Sequence, residues 1–112
     1  MQHEKTVVFV DRFAHSVHFY NLDNGTTTTV QNGDIREPMG VCGGGGRGSV
    51  FLCSTGTGSV VQMSARGELV KVHRVDMVYP RTVSVSVDGR RLVVANSVKN
   101  EVKTIKLFRV EY

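Results

Sequence analysis

The stretch SVFLCS at residues 49–54, followed after a short turn by SVVQMS at residues 59–64, decides the fold of this chain. The first run is apolar at consecutive positions, which predicts a strand that is buried on both faces. The second run is also rich in β-prone residues. The same pair of runs recurs with a period of about 42 residues, as TVVFVD and SVHFYN at residues 6–11 and 16–21, and as RLVVAN and EVKTIK at residues 91–96 and 101–106.

The composition is that of one small globular domain. The chain has 112 residues, of which 40% are hydrophobic, with 12 Gly and only 2 Pro. The net charge of +4 and the pI near 9.4 allow an acidic partner or nucleic acid without requiring one.

The sequence carries no signal for export or membrane insertion. The start, MQHEK, is charged and is not followed by the apolar segment of a signal peptide. The apolar runs are only a few residues long, whereas a membrane-spanning helix needs about 20. We therefore expect a soluble, cytoplasmic protein in which Cys42 and Cys53 are free, buried thiols.

Strands and tight turns, with no helix, are predicted along the chain. Turn pairs such as Asn24-Gly25, Asn32-Gly33 and Asp88-Gly89 separate the strands, because Asn-Gly and Asp-Gly favour the left-handed backbone of hairpin turns. The predicted strands cover residues 6–11, 17–21, 26–31, 39–42, 50–54, 60–64, 69–75, 82–87, 92–96 and 101–109.

Burial on both faces favours a β-propeller over a two-layer sandwich, in which one face of each strand is more often wet. Blades of four antiparallel strands, stacked face to face, fit a period of about 42 residues. The chain then forms a single partial propeller of about two and a half blades, with blade parts near residues 5–35, 36–77 and 78–112.

The repeated motifs resemble the NHL repeat. The residues that carry the resemblance are PMGV at 38–41, SVFLCS at 49–54 and GSVVQM at 58–63, and the third copy has Pro80 and LVVAN at 92–96. Gly43 departs from the usual Val-Asp end of the first strand. The chain has no Trp and no Gly-His pair, which disfavours the WD40 repeat. The resemblance implies a propeller like the C-terminal one of tripartite-motif ubiquitin ligases, where it selects the partner and a RING domain does the chemistry.

The number of blades falls short of a closed ring. Closed propellers have about four to eight blades, and an open stack exposes an apolar face at each end. The first copy enters at its second strand. Either the remaining blades come from a longer chain, or several copies of this chain close the ring by homo-oligomerisation.

No catalytic or metal-binding motif emerges from the residue types and spacings. Gly43, Gly45 and Gly48 match the dinucleotide fingerprint GxGxxG, but a strand follows them where a helix is needed. The histidines and cysteines lack metal-ligand spacing, and no Ser lies in a Gly-x-Ser-x-Gly elbow. The sequence therefore predicts a protein that is not an enzyme and that holds no metal or cofactor.

A binding surface is the function that remains. In a propeller, the loops from second to third strands and those between blades lie on one face. Basic and aromatic residues there suit an acidic protein segment, which is the predicted partner, or single-stranded RNA, which is the alternative. The predicted partner-binding residues are Arg12, Phe13, His15, Arg36, Tyr79, Arg81, Lys99 and Asn100.

Overall fold

The computed structural model describes residues 2–3, 6–44, 49–75, 77, 79–86, 90–98 and 101–109. These residues form antiparallel strands and one 3₁₀ turn, Thr55–Thr57. The strands are β1 (Gln2–His3), β2 (Thr6–Asp11), β3 (Ser16–Asn21), β4 (Thr27–Val30), β5 (Pro38–Gly44), β6 (Ser49–Ser54), β7 (Ser59–Ser64), β8 (Leu69–Arg74), β9 (Pro80–Val85), β10 (Arg91–Val98) and β11 (Glu101–Arg109).

The strands form three separate meanders. Sheet 1 has the order β1-β2-β3-β4, sheet 2 the order β5-β6-β7-β8, and sheet 3 the order β9-β10-β11. Each strand pairs with its neighbour in sequence, as the short polar turns predict. The all-β prediction is confirmed for the described residues, and each predicted strand has a counterpart.

Two local differences from the sequence expectation occur at the ends. Sheet 1 contains the short strand β1, whose His3 pairs with Thr6, so the first copy does not enter at its second strand. If the third pair of runs had the register of sheet 2, where Cys53 lies opposite Val60, then Val102 would lie opposite Ala95, but Ile105 does. The cause is a register shift between Ala95 and Ser97. A β-bulge there adds an extra residue to one strand, and the repeat period of the sequence does not reveal such a bulge.

The sheets pack face to face through alternate residues of the same strands. We call the face of a sheet on the side of the preceding sheet its leading face, and the face on the side of the following sheet its trailing face. The leading face of sheet 1 is therefore the face that points away from sheet 2. In sheet 2, Leu52 points to sheet 1 and Phe51 points to sheet 3, and both are fully buried. The cluster between sheets 1 and 2 consists of Val8, Val17, Phe19, Ile35, Val50, Leu52, Val61 and Met63. The cluster between sheets 2 and 3 consists of Phe51, Cys53, Val60, Val75, Met77, Val83, Leu92 and Val94.

None of the helical structure in the described part of the chain is long and apolar enough to cross a membrane.

Candidate functional site

The turns at one end of the sheets form a continuous surface, which we call the loop face. It comprises the β2–β3 turn (12–15), the β4–β5 connection (31–37), the β6–β7 turn (55–58) and residues 75, 77 and 79 of the β8–β9 connection. The Glu37 amide donates a hydrogen bond to His15 Nδ1 at 2.9 Å, and the Thr55 hydroxyl donates to the Pro80 carbonyl at 2.6 Å. These bonds connect the loops of neighbouring sheets.

Ser54 fixes the middle of the loop face. This fully buried residue ends β6, and its Oγ accepts a hydrogen bond from the Arg36 amide at 2.9 Å and donates to the Asp34 carbonyl at 2.8 Å. The Gly56 amide donates to the Arg36 carbonyl at 2.9 Å. The backbone of Arg36 is therefore held against the β6–β7 turn on both its donor and its acceptor side.

Three side-chain-bearing residues of the loop face have a left-handed backbone. Their φ angles are 53° at His15, 48° at Glu37 and 52° at Tyr79. Such a conformation costs an L-residue about 1–2 kcal/mol, and this kind of strain is concentrated at binding sites. Glu37 and Tyr79 each precede a proline, so the same unusual geometry is used at the start of two successive sheets.

A groove opens on the loop face between the inner strands β5 and β9. Its main part is about 330 Å³ in volume, and a pocket of about 130 Å³ adjoins it. Both parts are lined by Arg12, Met39 and Arg81, and we call them together the Arg12–Arg81 groove. The other lining residues are Val10, Pro38, Gly40, Thr55, Tyr79 and Thr82.

Two arginines line the Arg12–Arg81 groove without an ion pair among the described residues. The lining of the groove includes no carboxylate. The Arg12 guanidinium lies 5.6 Å from the centroid of the Phe13 ring, within reach of a cation–π contact. The groove is therefore suited to a group with negative charge.

Five of the eight predicted partner-binding residues line two cavities. Arg12, Tyr79 and Arg81 line the Arg12–Arg81 groove, and Tyr79 is 56% exposed. A second cavity, of about 350 Å³, is lined by His15 and Arg36 together with Ala14, Gln31, Asn32, Gly33 and Ile35. Phe13 stands at the turn beside Arg12 and is 85% exposed. Lys99 and Asn100 lie outside the described residues.

Six of the nine groove residues were absent from the predicted set, among them Met39 and Thr55. Met39 occupies the position after Pro38 that Arg81 occupies after Pro80, so the repeat itself contained the signal for its place at the groove. Thr55 follows β6 in the 3₁₀ turn, and its hydroxyl binds a backbone carbonyl of the next sheet. No sequence pattern marks that long-range bond.

Both cysteines are free, and Cys53 is buried, but Cys42 is only partly buried, so the expectation of two buried thiols is wrong for Cys42. Burial raises the pKa of Cys53 to about 12, with a further contribution from nearby Cys42, and burial alone raises the pKa of Cys42 to about 11. Because the thiolate is the nucleophile and the metal ligand, neither side chain is poised for catalysis. Among the described residues, no three His, Cys, Asp or Glu side chains are grouped to hold a metal ion.

The glycine run keeps a strand on each side. Gly43 belongs to β5 and Ser49 begins β6, so no helix follows the run, while Gly45 and Gly48 of the fingerprint lie outside the described residues. A phosphate held at a helix N-terminus has no place here.

No protein-family model matches the chain, and no curated protein matches it. Solved structures do. Hydrazine synthase from Kuenenia stuttgartiensis is similar with a TM-score of 0.80 and 20% identity, over 94% of this chain and 29% of that chain. A putative 6-phosphogluconolactonase from Bacteroides uniformis is similar with a TM-score of 0.76 and 21% identity, over 96% and 34%. A streptogramin B lyase is similar with a TM-score of 0.71 and 11% identity, over 98% and 39%.

These neighbours are propeller-like proteins, and the similarity confirms the predicted fold, a partial β-propeller. The chain spans well under half the length of each of the three proteins. At these identities the similarity establishes the fold alone, and the particular resemblance to NHL repeats stays a prediction.

The neighbours contradict the prediction that the chain is not an enzyme, because they include enzymes at 11–21% identity. That prediction rested on the absence of linear catalytic motifs. Here one cavity is lined by residues from all three sheets, Arg12 and Arg81 among them. A catalytic group built in this way leaves no motif in a linear sequence.

Proposed function

We propose that the loop face of these blades binds an acidic segment of a protein partner. The observation that carries the proposal is the Arg12–Arg81 groove, to which sheets 1 and 3 each contribute an arginine that has no carboxylate partner among the described residues. Covering such charges with an uncharged surface costs desolvation energy, whereas carboxylates of a partner offset that cost.

Aromatic and apolar side chains at the groove support a protein ligand. Tyr79, more than half exposed, and Met39, partly buried, lie beside the arginines. Tyr, Met and Arg are enriched in protein interfaces, and Tyr and Arg frequently supply most of the binding energy. A volume of about 330 Å³ holds one or two partner side chains and is at the lower limit for a small-molecule site.

The resemblance to NHL repeats leads to a finer form of the proposal. In tripartite-motif ubiquitin ligases the propeller selects the partner, and the RING domain does the chemistry. On this proposal the loop face is the substrate-recognition surface of a protein of that kind, and the acidic segment belongs to the substrate.

Single-stranded RNA is the second candidate ligand. Phe13 is 85% exposed and stands beside the Arg12 guanidinium, so the β2–β3 turn presents a ring and a cation together. Bases stack on exposed aromatic rings, and guanidinium groups pair with phosphates. This pair favours a single strand over a duplex, because the bases of a duplex are already stacked on one another.

Fluorescence anisotropy with three short labelled probes tests both candidates. The probes are an Asp/Glu-rich peptide with one Phe, its Asn/Gln counterpart, and an oligouridylate of similar length. The test variant is Arg12→Ala with Arg81→Ala. The control is Arg66→Ala with Arg91→Ala, which removes the same charge from exposed residues outside the groove.

We expect the acidic peptide to bind more tightly than its neutral counterpart, and the groove variant to weaken that binding about tenfold or more while the control does not. Preference for the oligouridylate would replace the protein ligand by RNA. Equal binding by both variants, or no binding of either charged probe, would overturn the assignment of the ligand to this groove.

A further inference from the structure

The trailing face of sheet 3 is open to solvent and presents apolar side chains beside the exposed Arg91, Arg109 and Ser84. Strand register makes Val93, Ile105 and Leu107 equivalent to Phe51, Val60 and Gln62 of sheet 2. These three residues of sheet 2 lie on the face that packs against sheet 3, and each is at most 2% exposed. In sheet 3 the exposures are 40% at Val93, 66% at Ile105 and 61% at Leu107.

The leading face of sheet 1 is open in the same way. Phe9 is 46% exposed and Tyr20 is 36% exposed, and the His18 ring stacks on Phe9 with 4.9 Å between centroids. The register-equivalent residues in sheet 2, Leu52 and Met63, are fully buried against sheet 1. The two open faces therefore correspond to the two sides of the sheet–sheet interface, or joint, that the chain forms twice internally, between sheets 1 and 2 and between sheets 2 and 3.

We propose that two copies of this chain associate head to tail, with the trailing face of sheet 3 in each copy packed on the leading face of sheet 1 in the other. The joint repeats the packing already present between sheets 1 and 2 and between sheets 2 and 3. Two such joints close a ring of six sheets, within the range of about four to eight blades that closed propellers have. Head-to-tail contacts form rings when the rotation closes.

The internal joint also shows which residues meet. Val60 of sheet 2 and Val94 of sheet 3 share one buried cluster. By strand register, Ile105 is the counterpart of Val60, and Phe9 is the counterpart of Val94. Ile105 of one copy therefore packs near Phe9 of the partner subunit. This association does not depend on the ligand proposed for the loop face.

Light scattering on the purified chain tests the association, with circular dichroism to verify the β fold. The expected mass is twice 12.3 kDa. Ile105→Lys and Phe9→Glu, each at an exposed position of the single chain, should each yield folded monomers. The control Val70→Lys changes a residue of β8 that is 56% exposed and outside both faces, and it should remain a dimer.

Mixing the two monomeric variants gives the sharpest outcome. In a head-to-tail ring, one joint of the mixed pair is unchanged, and the other places Lys opposite Glu, so the mixture should recover the dimer. A wild-type monomer, a polydisperse aggregate, or a mixture that stays monomeric would overturn the proposal. Dissociation by Ile105→Lys but not by Phe9→Glu would indicate pairing of two sheet 3 faces and would overturn it as well.

Discussion

A Cβ atom on Gly40 would lie 2.5 Å from the carbonyl oxygen of Arg81. The inner strands β5 and β9 therefore meet with no space for a side chain, and this contact sets the position of Arg81 at the groove. Gly40→Ala must displace backbone atoms, so we expect a loss of about 1–3 kcal/mol in the free energy of unfolding. Urea unfolding followed by circular dichroism measures this loss.

The matched control for that substitution is Gly33→Ala. A Cβ at Gly33 has no atom within 4 Å, and the backbone there does not require glycine. We expect a change within about 0.5 kcal/mol. If the two alanine variants lost the same stability, the close approach of Gly40 to Arg81 would not be the cause.

Replacing Ser54 by Ala should destabilise the loop face. The substitution removes the acceptor for the Arg36 amide and the donor to the Asp34 carbonyl in a fully buried environment. Leaving buried polar groups unsatisfied costs about 1–3 kcal/mol. The free energy of unfolding from a urea titration measures the loss. Ser64→Ala, which removes longer bonds at an exposed turn, should cost less, and the opposite ranking would contradict the role of Ser54.

Deprotonation of two thiols, the buried Cys53 and the partly buried Cys42, should lower the free energy of unfolding in alkaline solution. Both pKa values are raised by burial, to about 11 at Cys42 and about 12 at Cys53, from 9.0. The folded chain therefore holds these protons more tightly than the unfolded chain, and their contribution is complete below pH 9.0 and is lost as the pH rises toward those values. Urea unfolding between pH 8 and pH 10.5 should show a smaller decline for Cys42→Ala with Cys53→Ala than for the wild type. An identical decline would show that other groups cause it.

For the RNA candidate, salt dependence gives a separate test. Arg36→Ala with Arg81→Ala should weaken binding of an oligouridylate and reduce the slope of log affinity against log salt by about 0.7 for each phosphate contact removed. Anisotropy titrations at several salt concentrations measure the slope. Arg66→Ala with Arg91→Ala is the charge-matched control. Affinity and slope that do not respond to the first pair would rule out phosphate contacts at these arginines.

Much of the fold was predictable because burial on both faces leaves a signal in sequence. Consecutive apolar residues at 50–53 and their repetition identify stacked sheets, and Gly and Asn mark most turns. The bulge after Ala95 was not predictable, because it changes which residue pairs with which without changing the residue types. Only part of the groove was predicted from the sequence. Thr55 was missed because its hydrogen bond to Pro80 joins residues that are 25 positions apart. The left-handed backbone of Tyr79 left no sequence signal either, because bulky residues seldom adopt it.

The complete burial of β6, and the near-complete burial of β7, gives the molecule an uneven local stability. Within a single chain, sheet 2 has neighbours on both faces, whereas sheets 1 and 3 each have one. In the unassociated chain the end sheets can therefore open while the middle remains folded, and amide hydrogen exchange should be slowest in the middle. Arg12 belongs to one end sheet and Arg81 to the other. A ligand that contacts both arginines therefore binds only when both ends are docked. By thermodynamic linkage, its occupancy protects the two ends from opening.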